Sequence, residues 1–153
     1  MMLYSAYMET DTKSVLLNRI IFVLSIAGIL MAAYVLQGWI RHSSILCLTG
    51  GGCTTVQKSA LSYPLGIPVP AIGLAGYTIL SILSFLRTTS NNKNLLKGIL
   101  GMAIFGICFV SWFTYTEVFL IKGVCTWCAV SAVNMYVIFA LTVASIRLEK
   151  KTV

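Results

Sequence analysis

The 153 residues are 58% hydrophobic and only 10% charged, with a mean hydropathy of +0.91, whereas about a quarter of an ordinary soluble domain is charged. That balance excludes a soluble globular enzyme and marks an integral membrane protein. The net charge of +7 does not point to nucleic acid, because the basic residues stand at the ends of apolar runs and form no stripe interleaved with aromatics.

In chain order, Met1 to Ser14 is polar and reads as a short, partly ordered tail. Ile20 to Ile40 carries no charge, is bracketed by Arg19 and Arg41, and is long enough to cross a bilayer, which takes about 20 apolar residues. It exceeds the core of a signal peptide and ends without a small-x-small cleavage site, so it is expected to be retained. Arg41 to Pro70 is the longest non-membrane stretch and holds Cys47, Gly50-Gly51-Gly52 and Cys53. The glycine run predicts a mobile, tightly turning backbone. The alternation from Val56 to Tyr63 predicts a short helix on the membrane surface before Pro64, Pro68 and Pro70 break the chain.

A second uncharged run, Pro70 to Leu86, has its prolines where a helix starts. Arg87 to Lys97, with Asn91 and Asn92, is a polar connection. A third run, Gly98 to Ile121, contains Cys108 and Glu117, and Lys122-Gly123 makes a short turn. The fourth begins at or just before Cys125 and ends at Arg147, Glu149, Lys150 and Lys151. The expected organisation is one all-α membrane domain over 1–153. It is a four-transmembrane-helix bundle with spans near 19–40, 69–87, 98–121 and 124–147, and an outer loop, 41–68, whose short surface helix caps the site.

Four spans put both termini on one side. Lys13, Arg19, Arg87, Lys93, Lys97, Arg147, Lys150 and Lys151 fall on that side, against Arg41, Lys58 and Lys122 on the other. The positive-inside rule therefore predicts cytoplasmic termini in a plasma or inner cell membrane. Cys47, Cys53, Cys125 and Cys128 then lie at the outer face, where disulfides form and persist.

Cys125-Thr126-Trp127-Cys128 is a Cys-x-x-Cys. On a helix, residues three apart share a face, so the two sulfurs can close as a disulfide. Cys125 is predicted in the first turn, where free N–H groups and the helix dipole favour a thiolate, the attacking species in disulfide exchange. A flexible pair, Cys47 and Cys53, beside this rigid one suits transfer of two electrons by successive exchange. A lipid-soluble quinone, taking two electrons and two protons, is a fitting final acceptor. Static staples, a four-cysteine zinc or copper site, and a small proton-coupled transporter remain open as rival readings. The five residues between Cys47 and Cys53 exceed zinc-knuckle spacing, and the first span has no acid; no metal is expected.

The order of these motifs resembles the vitamin K epoxide reductase family, in particular its stand-alone bacterial and archaeal members. The resemblance covers Ile20 to Ile146 and rests on Cys47 and Cys53, Ser59, the proline-rich approach to the second span with Gly73, and Cys125-Thr126-Trp127-Cys128. The disulfide bond protein B family shares the architecture but places its pairs in the reverse order. The resemblance implies that Cys47 exchanges with an external thioredoxin-fold protein similar to disulfide bond protein A, that Cys53 relays to Cys125, and that Cys128 faces a quinone such as ubiquinone or menaquinone. The chain is expected to lack a fused thioredoxin-like domain and to act as a monomer. Animal epoxide reductases place an asparagine where Val69-Pro70-Ala71 stands and a tyrosine where Ala132 stands, so quinone reduction is the expected activity and animal-type vitamin K recycling the alternative.

Four further residues are candidates for quinone binding or support. Ser59 matches a family position that donates a hydrogen bond, Trp127 would wall the site, and Ala132 stands at the tyrosine position. Glu117, an acid near the outer end of a span, would handle a quinone proton or bond the covering loop, unless it simply reaches water. Cys108 and His42 are expected to have no role. Ser111, Thr114 and Asn134 are expected to bond neighbouring helices.

Overall fold

The computed structural model describes residues 2–43, 45–47, 50–90 and 92–151, with 2–11 and 151 by backbone alone. Met1 of the expected tail, Leu48 and Thr49 of the cysteine loop and Asn91 of the polar connection lie outside the described residues.

Helix α1 spans Met2–Ile40, and its Thr12–Ile40 portion is apolar enough to cross a membrane. The expected tail is therefore helical. It holds no proline or glycine, and a segment joined to an existing helix needs no new nucleus. The loop that follows needs glycine's freedom at Gly50, where φ is 70°; the chain is already helical at Gly52. Helix α2, Gly52–Lys58, thus starts earlier than the alternation suggested and carries Cys53. It stops at Ser59, which is extended and accepts the Leu61 N–H on its hydroxyl, so Ala60–Ser62 and Pro64–Gly66 form short 3-10 turns instead.

Helix α3 covers Val69–Thr89, with Pro70 in its first turn. Helix α4 covers Lys93–Tyr115. It begins ahead of the apolar run because the Asn92 side chain caps it, accepting the Asn94 N–H at 3.0 Å. Thr116–Ile121 continues α4 as a wider π-helix, closed by Lys122 in the left-handed region at φ 54° and by Gly123, whose N–H donates to the Glu117 carbonyl at 3.1 Å. Helix α5 covers Thr126–Lys151.

The membrane-length helices are Thr12–Ile40, Val69–Thr89, Lys93–Ile121 and Thr126–Lys150, and the protein is an all-α membrane bundle. Helices α1 and α4 each pack against both α3 and α5. Apolar surface gives no drive for association in lipid, so close packing and hydrogen bonds must hold the helices. At Gly28 the α1 backbone lies against the Tyr77 ring, where any side chain would collide. Asn134 Nδ2 on α5 donates to the Leu24 carbonyl on α1 at 3.1 Å, and the Ser111 and Tyr136 hydroxyls bond between α4 and α5 at 2.6 Å. These two match expectation, whereas Thr114 lines the interior cavity.

The bundle's two ends differ. At one, the buried Arg87 of α3 donates to Ser14 Oγ of α1 and pairs with Glu149 of α5. At the other, Cys53, Val56, Val35, Trp39, Phe113 and Cys125 are buried together, with Cys47, Trp127 and Cys128 packed on them.

Candidate active site

Cys47 and Cys53 form a disulfide, and Cys125 and Cys128 are free thiols. Cys53 and Cys125 are each 1% exposed and belong to one packed cluster. Cys47 Sγ lies 3.8 Å from Thr126 Oγ1, at the start of α5. The loop is held there by Trp127. Its indole N–H donates to the Leu46 carbonyl at 2.7 Å, and its ring packs on Tyr34 of α1 at 5.0 Å between centroids.

Cys125 sits one position earlier than the sequence implied. It precedes α5 and caps it: its carbonyl accepts the Ala129 N–H at 3.0 Å. Its sulfur takes the part that a serine or aspartate oxygen plays at a helix cap, accepting from the backbone N–H groups of Trp127 and Cys128 as well as from the Cys128 side chain. The Cys128 hydrogen bond contributes most, and together with the backbone donors it outweighs burial, bringing the Cys125 thiol from 9.0 down to about 7. Thiolate character was legible in the motif; its source in a cap was not.

Glu117 is 2% exposed. The π-helical turn carries it back toward the start of α5, where it shares hydrogen bonds with the Cys128 side chain and the Cys125 backbone. Its Oε1 has no hydrogen-bond partner among the described residues. The ligand-capable atoms of Glu117, Cys125 and Cys128 all lie within 4.8 Å of one another. The water-facing reading of Glu117 is thereby excluded. In this state the Cys47–Cys53 bond occupies two of the four sulfurs that a four-cysteine metal site would need.

Below Cys128 an apolar cavity opens inside the bundle. Phe105, Phe109 and Phe113 of α4 wall one side. Gly73 and Gly76 of the neighbouring α3 also line it, and a Cβ at either would meet open space. Its polar groups are few: Cys128, Thr114, Ser131 and the Tyr77 hydroxyl, which donates to the Ser131 carbonyl at 2.9 Å. Trp127 also lines the cavity. Ala132 is buried beside it without lining it, and Ser59 caps a loop turn. Cys108 is exposed on the outside of α4. The Tyr77–Ser131 pair gave no sequence signal, whereas the spacing of the three phenylalanines, four residues apart on one helical face, was available.

A model of the vitamin K epoxide reductase family matches residues 19–143. The chain belongs to this family. Comparison with curated proteins yields no match. Family membership makes the chain a membrane oxidoreductase of the disulfide and quinone type, and relatives in this family work with thioredoxin-like partners.

Proposed function

We propose that the chain, as one membrane unit over 1–153, is a thiol oxidase that passes electrons from an extracytoplasmic thioredoxin-fold protein, through Cys47–Cys53 and then Cys125–Cys128, to a membrane quinone. The observation that carries this is the single buried cluster joining Cys53 to Cys125, with Cys128 at an apolar cavity. The termini are placed in the cytoplasm and the cysteines outside, as the eight basic residues on the terminal side favour.

In the first exchange a partner dithiol reduces Cys47–Cys53 and leaves as a disulfide. Cys53 thiolate then attacks Cys125 of the closed inner pair, and Cys128 leaves as a thiolate. Cys47 resolves the resulting Cys53–Cys125 bond by attacking Cys53, which restores the outer disulfide and releases Cys125. Exchange is faster when the leaving thiol has a low pKa, and the cap donors and Cys128 stabilise the departing Cys125 thiolate. The arrangement of closed outer pair and free inner thiols corresponds to this stage.

The cavity fits a quinone head by its apolar aromatic walls and open glycine face. Such an acceptor, when bound, takes up two electrons and two protons. Cys128 is the inner sulfur that faces it, and Glu117, within reach of the Cys128 thiol, accepts a proton from that thiol as the inner disulfide re-forms. Trp127 serves as a wall and loop holder. Ser59 supports the loop turn, and Ala132 backs the cavity.

Reduced thioredoxin-fold protein mixed with purified chain and a quinone tests the route through quinone absorbance. Cys128→Ala is expected to abolish turnover, and Cys47→Ala to abolish it with protein thiols; unaltered rates in Cys128→Ala would overturn the relay.

A further inference from the structure

The donor set formed by Glu117, Cys125 and Cys128 suits a purpose beyond electron transfer. Two cysteines with two residues between them at the start of a helix have the spacing of a zinc knuckle. The third donor, Glu117 on a different helix, is 2% exposed, and its Oε1 lacks a hydrogen-bond partner among the described residues. Ligand atoms on one tetrahedral zinc lie about 3.5–3.8 Å apart, given bonds of about 2.0 Å to oxygen and 2.3 Å to sulfur. The three atoms here are within 4.8 Å of one another, so a small contraction brings them onto one face of a tetrahedron. The backbone N–H groups of Trp127 and Cys128 already point at the Cys125 sulfur, as outer-shell donors to a metal-bound thiolate do.

We propose that the reduced inner pair and Glu117 form a binding site for a thiophilic divalent cation, zinc being the best match to a set of two sulfurs and one carboxylate oxygen. Cys128 borders the cavity, which leaves the fourth position to water or a small ligand from that side. The site exists only while Cys125 and Cys128 are thiols, since closing their disulfide consumes both sulfur donors. Binding displaces the thiol protons and occupies both sulfurs, so the pair is withheld from oxidation while the ion stays. No electrons move in the binding step. The inference stands on the cluster's geometry and needs neither the partner nor the quinone of the proposed relay.

The test is zinc titration of the full-length Cys47→Ala/Cys53→Ala chain in detergent, in competition with a chromophoric chelator. One zinc per reduced chain is expected, and none after oxidation of the inner pair with a dithiol oxidant. Glu117→Gln should weaken binding about tenfold or more, the lower end of what even outer-shell changes cost, with Glu117→Asp recovering part. X-ray absorption of the zinc-loaded Cys47→Ala/Cys53→Ala chain, which keeps Glu117, should show two sulfurs at about 2.3 Å and oxygen at about 2.0 Å. Equal binding to oxidised and reduced chain, unchanged affinity in folded Glu117→Gln, or a zinc shell with fewer than two sulfurs would each overturn the site. Loss of quinone reduction in any variant bears on the relay alone.

Discussion

Cys125 has two tasks that its position at the head of α5 reconciles. Its carbonyl and sulfur cap the helix, and the same donors that satisfy the helix end keep the sulfur acidic. In a reduced Cys47→Ala/Cys53→Ala/Cys108→Ala chain, thiolate absorbance should rise through a midpoint near pH 7, as Cys125 titrates at about 7. Adding Cys128→Ala should move that midpoint up toward the ordinary thiol value, because the Cys128 hydrogen bond is the largest cause of the lowering. The sign for stability follows. Between about pH 7 and 9 the folded chain has lost a proton that the unfolded chain still holds, so the reduced protein should resist thermal unfolding better at pH 9 than at pH 7 as far as this group is concerned. The two cysteine pairs could be read from spacing, and the structure bonds the outer pair and brings the inner pair together. Glu117 could be read as an acid near the outer end of its span, but its hydrogen bonds to the inner pair could not. Its approach to the thiols depends on a π-helical turn, and one extra residue per turn leaves no mark in hydrophobic periodicity.

The helices themselves were legible because their apolar runs match a bilayer's thickness. Their ends were less so: Asn92 caps α4 ahead of the run, and α1 extends through residues that are polar yet free of any breaker. The contact of α1 with α3 turns on a feature that composition hides. Gly28 is a glycine in a helix interior, and its lack of a side chain makes room for the Tyr77 ring. Gly28→Ala should therefore push Tyr77 toward the cavity and strain its bond to the Ser131 carbonyl. The expected cost is about 1–3 kcal/mol, as for other overpacked interiors, read as a lower unfolding temperature together with a raised KM for quinone.

The molecule as a whole is fastened at the end remote from the cysteines. Arg87 is buried, and Glu149, whose side chain is 26% exposed, is its ion-pair partner. Losing one partner of a buried pair costs about 3–5 kcal/mol, and the partial exposure of Glu149 sets the expectation at about the lower figure. Glu149→Ala should thus lower the unfolding temperature in detergent, and Arg87→Leu/Glu149→Leu should recover much of the loss because no charge is left stranded. With that end tied, the cysteine loop is governed from its own side, by Trp127. The indole grips a main-chain carbonyl, that of Leu46, a residue whose own side chain is 80% exposed. The grip responds to where the chain runs and is blind to which side chain it carries. Residue 46 is thereby free to vary, or, under the proposed relay, to be tailored to a partner protein, while the sulfur next to it stays registered over the head of α5.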